Sequence, residues 1–229
     1  MLSDRTIKRE PIYPLPRRIL LRLRKLVAPR FRPKLDQKIV RTLEGVDFSI
    51  FSNNCLGGVF YHDAKRQFTS PTINTALDGE DFIRFLERPK HYLDHEMEFF
   101  SWPDHPYPIA KIDDIEVRFV HYRTKEEAEE IWHRRAERIL WDNLFIVATN
   151  HDGLARPDLM ERFDKLPYPN KIMFVSAEYP QYPWAITVPQ FRGRFQVRVM
   201  TSFANFRGQR YYETCFDLAQ WIREKSLEK

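Results

Sequence analysis

The sequence predicts a three-layer α/β protein: an open, mainly parallel sheet with helices on both faces, preceded by a basic N-terminal helical arm. Three observations predict it. From Val46 onward the hydrophobic pattern switches repeatedly between the two-residue period of strands and the longer period of helices. Leu144-Phe145-Ile146-Val147-Ala148 and Ile172-Met173-Phe174-Val175 are unbroken apolar runs, as expected of strands covered on both faces. With 229 residues, 43% of them hydrophobic, the chain can bury a full core without a disulfide or metal staple. The arm is assigned to residues 1–44 and a single α/β domain to residues 45–229.

Charge separates the two parts. Residues 1–40 hold twelve Lys or Arg against three Asp or Glu, so the remainder is net acidic beneath the overall charge of +5. Pro11, Pro14 and Pro16 predict an extended start. Residues 17–27 predict an amphipathic helix, with Ile19, Leu20, Leu23, Leu26 and Val27 on one face and Arg17, Arg18, Arg22, Arg24 and Lys25 around the rest. Such a helix suits an anionic membrane surface, or else packs its apolar stripe on the domain or a second subunit. No nucleic-acid partner is expected, because the arm lacks interleaved aromatics and the body lacks a recognition motif. No stretch reaches the roughly 18 apolar residues of a membrane span, and no apolar secretory region follows the start. Cys55 and Cys215, far apart, fit a reducing compartment. The expected location is the cytoplasm, peripheral at the inner membrane face where the arm docks.

The elements follow in order. Pro33 to Leu43 suits a second short helix. Val46 to Phe51 alternates as a strand, stopped by Ser52-Asn53-Asn54-Cys55 before a turn at Gly57-Gly58. Phe68 to Ile73 reads as an extended loop, and Asp78 or Gly79 caps a helix through Leu86, with a broken helical pattern at Tyr92, Leu93 and Met97. Trp102 to Pro108 is loop. Ile115 to Val120 alternates as a strand ending at His121-Tyr122. Thr124 with Glu127 forms a capping box for a helix to about Trp141. The two apolar strands follow, separated by a helix from Pro157 to Leu166. Val197 to Met200 is expected to be the last strand, before a helix from about Gln209 to Glu224.

In an open parallel sheet, ligands bind beyond the carboxyl ends of the strands. Those ends bring together Asn53, Asn54 and Cys55; His121 and Tyr122; Asn150 and Asp152; and Glu178. A Cys beside a His can form a thiolate–imidazolium pair, with Asp152 or Glu178 orienting the ring, and the thiol is then expected to ionise below the roughly 8.5 of a free cysteine. The bland alternative is a buried Cys55 that packs as a small hydrophobe, with the two asparagines capping a helix. Arg135 projects from the apolar face of the helix after His121, with Arg138 at its edge. It is expected to be buried and paired, either by an internal carboxylate such as Asp47 or Asp81 or by a bound anion. No G-x-G-x-x-G or G-x-x-x-x-G-K-[ST] is present, so no dinucleotide or P-loop fingerprint exists, and no close ligand spacing calls for a metal.

Ser52-Asn53-Asn54-Cys55-x-Gly57-Gly58-x-x-Tyr61, then Ser70-Pro71-Thr72, Asp81-Phe82, Tyr107-Pro108, Phe119-x-His121-Tyr122, Glu127-Ala128 and Trp132-x-Arg134-Arg135-x-x-Arg138-Ile139 resemble a bacterial family labelled domain of unknown function nineteen-nineteen. The resemblance covers about residues 46–205. It departs at Leu56, where the family usually carries an aromatic residue. Members are often described as exopolysaccharide or capsule biosynthesis proteins, so the resemblance implies a role in assembling a bacterial surface sugar.

The expected function is therefore a transferase that modifies a sugar or lipid-linked saccharide by acyl transfer. Cys55 takes the acyl group, His121 moves the protons, and Asn53, Asn54 and the Gly57-Gly58 amides hold the oxyanion. Tyr61, Tyr122, Arg135, Arg138, Asn150 and Glu178 are expected around the substrate, with acyl-CoA or a nucleotide-sugar as donor. Two alternatives stand beside it. A glycosyl- or phosphosugar transferase would use Asp152 or Glu178 as base and Arg135 with Arg138 on the phosphate. A non-catalytic sugar binder would stack its ligand on Trp102, Tyr107, Tyr179, Tyr182 and Trp184.

Overall fold

The computed structural model describes residues 15–100 and 106–228, and of residues 15–18 the backbone alone. The expected extended start at residues 1–14, together with Trp102 and His105, lies outside the described residues. So do the side chains of Arg17 and Arg18.

Four parallel strands form the main sheet, in the order β1 (Ser49–Phe51), β5 (Leu144–Thr149), β6 (Lys171–Val175), β7 (Ala185–Thr187). Ser49 pairs with Leu144, Ile146 with Lys171, and Met173 with Ala185. The period of two explains why β5 is apolar throughout. Leu144, Ile146 and Ala148 enter one core while Phe145 and Val147 enter the other. On the first face lie α4 (Gly79–Glu87), α5 (Pro89–Asp94), α6 (Lys125–Ala136) and α7 (Pro157–Lys165), together with a small antiparallel sheet of β2 (Glu98–Phe100), β3 (Ile109–Ile112) and β4 (Ile115–Arg118). On the second lie α2 (Arg32–Thr42), α3 (Leu56–Asp63) and α8 (Leu218–Leu227). The result is the expected three-layer α/β architecture.

Local expectations fare unevenly. Thr124 caps α6 by accepting from the Glu127 amide at 3.2 Å, and the Glu127 carboxylate returns to the Arg123 amide at 2.9 Å. The helix ends at Ala136 and a short 3-10 turn occupies Trp141–Asn143. The stretch 115–120 is a strand only to Arg118, and it belongs to the antiparallel sheet. Asp113, with φ +53°, turns the chain in the two-residue link from β3, a tight hairpin. Residues 197–200 are not a strand: the Val197 amide donates to the Asn150 side chain at 2.8 Å, and β7 provides the edge instead. The last helix begins at Leu218, after a 3-10 turn at Tyr212–Thr214.

Gly57 and Gly58 form no turn but lie in the first turn of α3. Glycine is a poor helix residue, and here close packing demands it. A Cβ on Gly57 would stand 2.8 Å from Ile73 Cδ1, and one on Gly58 would stand 2.9 Å from Asn74 Oδ1.

The predicted boundary near residue 44 is no break in packing. Arg32 of α2 is buried and meets Asp36 at 2.6 Å, Asp63 at 2.9 Å and Glu213 at 2.6 Å, while Arg210 reaches Asp63 at 2.7 Å. Ile39 and Leu43 enter the core beside this network. Helix α1 (Leu15–Val27) docks more loosely. Its Arg24 Nη1 donates to the Phe203 carbonyl at 3.3 Å and the Tyr211 hydroxyl at 3.5 Å. Ile19, Leu20, Leu23 and Leu26 stay exposed, Leu26 at 71%.

Candidate functional site

Beyond Phe51 the chain leaves the sheet through Ser52-Asn53-Asn54. Asn53 is fully buried and extends the β1–β5 ladder with its side chain: its Nδ2 donates to the Thr149 carbonyl at 3.1 Å and its Oδ1 accepts the Thr149 amide at 3.1 Å. Asn54 donates to Thr149 Oγ1 at 2.7 Å and accepts the Leu56 amide at 3.0 Å, which fixes the entry to α3. Both carboxamides are thus committed to the scaffold, and the expected oxyanion role for them is corrected. The Gly57 and Gly58 amides sit in the first turn of α3, where N–H groups lack intrahelical acceptors.

Cys55 is the residue immediately before α3, half-buried, and its sulfur lies 3.5 Å from His121 Nε2. His121 is exposed and sits on a turn just past β4, closed by the Tyr122 amide on the Phe119 carbonyl at 3.0 Å. The sequence placed these two residues at one edge, and they meet there although β4 is not a strand of the parallel sheet. Burial pushes the Cys55 thiol above its ordinary pKa. The expectation of a depressed pKa is therefore corrected in direction: burial raises the thiol instead.

The other predicted site residues lie elsewhere. Asp152, at φ +51°, pairs with His151 at 2.7 Å, and among the described residues no carboxylate reaches the His121 ring. Asn150 is buried between the Ser176 hydroxyl, 3.2 Å away, and the Val197 amide. Glu178 is exposed and pairs with Arg192. Tyr61 is 1% exposed, and its hydroxyl fastens β1, accepting the Ile50 amide at 3.0 Å; no face remains for a substrate. Arg138 lines a separate cavity of about 290 Å³ with Asp47, Arg66 and Leu140.

Arg135 is buried as expected, but neither suggested carboxylate meets it. Asp47 lies 3.5 Å from Arg66, and Asp81 accepts the Glu116 amide. Arg135 donates instead to the Ile73 carbonyl and the Tyr122 hydroxyl, both at 2.7 Å, and stacks 4.8 Å from the Phe68 ring centroid. The aromatic residues proposed for sugar stacking also serve packing. Tyr182 stacks on Trp184 at 4.6 Å, and the Trp184 indole donates to Asp164 at 2.7 Å.

Two side chains packed against the glycines of α3 carry no assigned role in the sequence reading. Asn74, in the left-handed region at φ +66°, stands against Gly58, and the Ser52 hydroxyl is buried without a partner. Neither belongs to a periodic pattern; a non-glycine left-handed residue inside a Ser-Pro-Thr loop is visible only in three dimensions. Among the described residues no group of three or more His, Cys, Asp or Glu side chains is placed to hold a metal ion, and no helix is long and apolar enough to cross a membrane.

Residues 27–223 match the family described as Domain of unknown function (DUF1919). The match reaches further at both ends than residues 46–205 and takes in α2 with its buried Arg32. An uncharacterized protein of Haemophilus influenzae is 33% identical over 201 residues, which is 88% of this chain and 96% of that protein.

Proposed function

The chain belongs to the family described as Domain of unknown function (DUF1919), and from the site carried by this shared core we propose an acyltransferase of bacterial surface-polysaccharide assembly, working through Cys55 and His121. The single observation that carries the reading is the 3.5 Å approach of sulfur to imidazole. The reaction runs in two steps. His121 Nε2 takes the Cys55 proton as the sulfur attacks the carbonyl of an acyl-CoA, forming the acyl–sulfur bond while the proton passes to the departing CoA thiolate. A sugar hydroxyl then attacks the thioester, gives its proton to His121, and Cys55 leaves and is reprotonated from the ring. The Gly57 and Gly58 amides and the positive end of α3 face the oxyanion of both steps. Because burial raises the thiol, the proton transfer to His121 accompanies attack in this proposal.

The acceptor in this proposal is a sugar or lipid-linked saccharide. The exposed apolar stripe of α1, with Arg22 and Lys25 beside it, holds the protein on an anionic membrane surface in the cytoplasm. The carboxylate-based transferase has less support, since Asp152, Glu178, Arg135 and Arg138 occupy four different settings.

The test is intact-mass analysis of the purified chain mixed with acetyl-CoA and succinyl-CoA. An acyl adduct on the wild type, absent from Cys55→Ala and slowed by roughly 100-fold or more in His121→Ala, is the expected result. No adduct from either donor, with Cys55→Ala still supporting capsule assembly, would end the thioester mechanism.

A further inference from the structure

The strongest feature outside the Cys55 site is a cavity of about 500 Å³ between α1 and the loops of residues 190–211. Four cations line it, Arg24 and Lys25 from the helix and Arg194 and Arg198 from the loop, and no acidic residue does. None of the four forms an ion pair with a carboxylate among the described residues. Arg32 and Arg210, by contrast, are matched by carboxylates, Arg32 by three and Arg210 by Asp63, while the buried Arg135 is satisfied by the Ile73 carbonyl and the Tyr122 hydroxyl. Arg24 is also incompletely satisfied, because its Nε is buried without a hydrogen-bond partner while Nη1 makes only long bonds. Like charges gathered around one cavity repel, and a cavity that keeps them unneutralised is built to be neutralised by something that enters.

We propose that this cavity binds a phosphate-bearing ligand, with Arg24, Arg194 and Arg198 on the phosphate oxygens. Guanidinium groups match phosphate geometry, and Thr201 and Ser202 add hydroxyls at the same wall. The volume is in the range of small-molecule sites, and Leu21 and Val199 give the remainder of the ligand an apolar surface. The chemistry fits two sources equally: a free phosphate compound, or the headgroup of a lipid presented beside the exposed face of α1. The inference does not depend on the thioester reading, since no residue is shared with the Cys55 site.

The experiment uses the full chain, with inorganic diphosphate as the soluble probe and vesicles of phosphatidylcholine mixed with phosphatidic acid as the lipid probe. Thermal midpoint is followed against diphosphate, and sedimentation against vesicles. The expected result is that one or both probes bind, and that Arg194→Met/Arg198→Met weakens binding by about ten-fold for each guanidinium removed, whereas Arg41→Met on the exposed side of α2 does not. Diphosphate binding alone identifies a soluble ligand; vesicle binding that diphosphate competes away identifies a headgroup. Val199→Glu provides a second variant, because residue 199 is 62% exposed and tolerates a carboxylate that repels phosphate at the cavity wall. Absence of binding by both probes, or equal binding by wild type, the double variant and Val199→Glu, would overturn the proposal.

Discussion

Arg135 donates from one nitrogen to both the Tyr122 hydroxyl and the Ile73 carbonyl, each at 2.7 Å. Tyr122 follows His121, and Ile73 packs against Gly57 and Gly58, two and three residues after Cys55. A single guanidinium therefore ties together the two segments that present the thiol and the imidazole.

Arg135→Met should destabilise the fold by about 2 kcal/mol in urea. Charge-assisted hydrogen bonds contribute roughly 1.5–3 kcal/mol, but loss of a buried charge that lacks a carboxylate offsets part of that. Arg135→Lys should recover little, because an ammonium cannot reproduce the flat contact with Phe68. An unchanged urea midpoint in Arg135→Met would show that this residue does not hold the site together.

The thiols should separate on alkylation with iodoacetamide. Burial raises the pKa of Cys55 and pushes Cys215 up to about 11. The alkylation rate of Cys55 should thus rise with pH through a midpoint above the roughly 8.5 of free cysteine, and Cys215 should follow later. His121→Ala should move the Cys55 midpoint little, since burial is what raises it. A midpoint below neutrality in the wild type, lost in His121→Ala, would show that the imidazole and not burial governs this thiol.

Asp81 sets a pH dependence of stability. Burial pushes its carboxyl up to about 6, above the value it has when unfolded. Its stabilising contribution is complete below about pH 4 and is lost as pH rises through 6, because the unfolded chain ionises first. Asp81→Asn keeps an acceptor for the Glu116 amide and removes that loss. It should raise stability by about 1 kcal/mol at pH 7, a figure reduced for the solvent that still reaches the group, and by nothing at pH 4. Equal effects of the substitution at both pH values would disprove this origin.

The proposed membrane role of α1 calls for a test by substitution rather than truncation. Removing residues 1–40 takes away Arg32 and leaves Asp63 buried with one cation fewer, so such a chain should lose stability by about 3–5 kcal/mol. Leu23→Glu/Leu26→Glu alters side chains that are 48% and 71% exposed. It should leave the thermal midpoint within a degree or so of wild type while abolishing sedimentation with anionic vesicles at low salt. Undiminished sedimentation would exclude this face of the helix as the contact.

The sheet was legible in the sequence where pattern and environment agree, as in β5 and β6, whose unbroken apolar runs match two covered faces. The Thr124–Glu127 cap was legible for the same reason, being a local bond between near neighbours. Residues 57–58 were misread because glycine signals freedom, while here it signals the lack of room beside Ile73 and Asn74. Residues 197–200 alternate like a strand, yet their backbone is satisfied by Asn150, which no local pattern reveals. At the candidate site, Cys55 and His121 were brought together by strand ends, but the committed side chains of Asn53, Asn54 and Tyr61 show that polarity at such an edge also serves to finish the sheet. The burial of Arg32 was invisible, because two of its three carboxylate partners, Asp63 and Glu213, lie 31 and 181 positions away.

That last separation has a consequence for biogenesis. Arg32 emerges from the ribosome long before Glu213, which lies 181 positions further along the chain. At ~5–20 residues per second, roughly 10–35 s of translation pass before its buried network can close. Throughout that interval the two N-terminal helices are outside the tunnel with no finished body to fasten to. A segment made early is thus among the last to be locked.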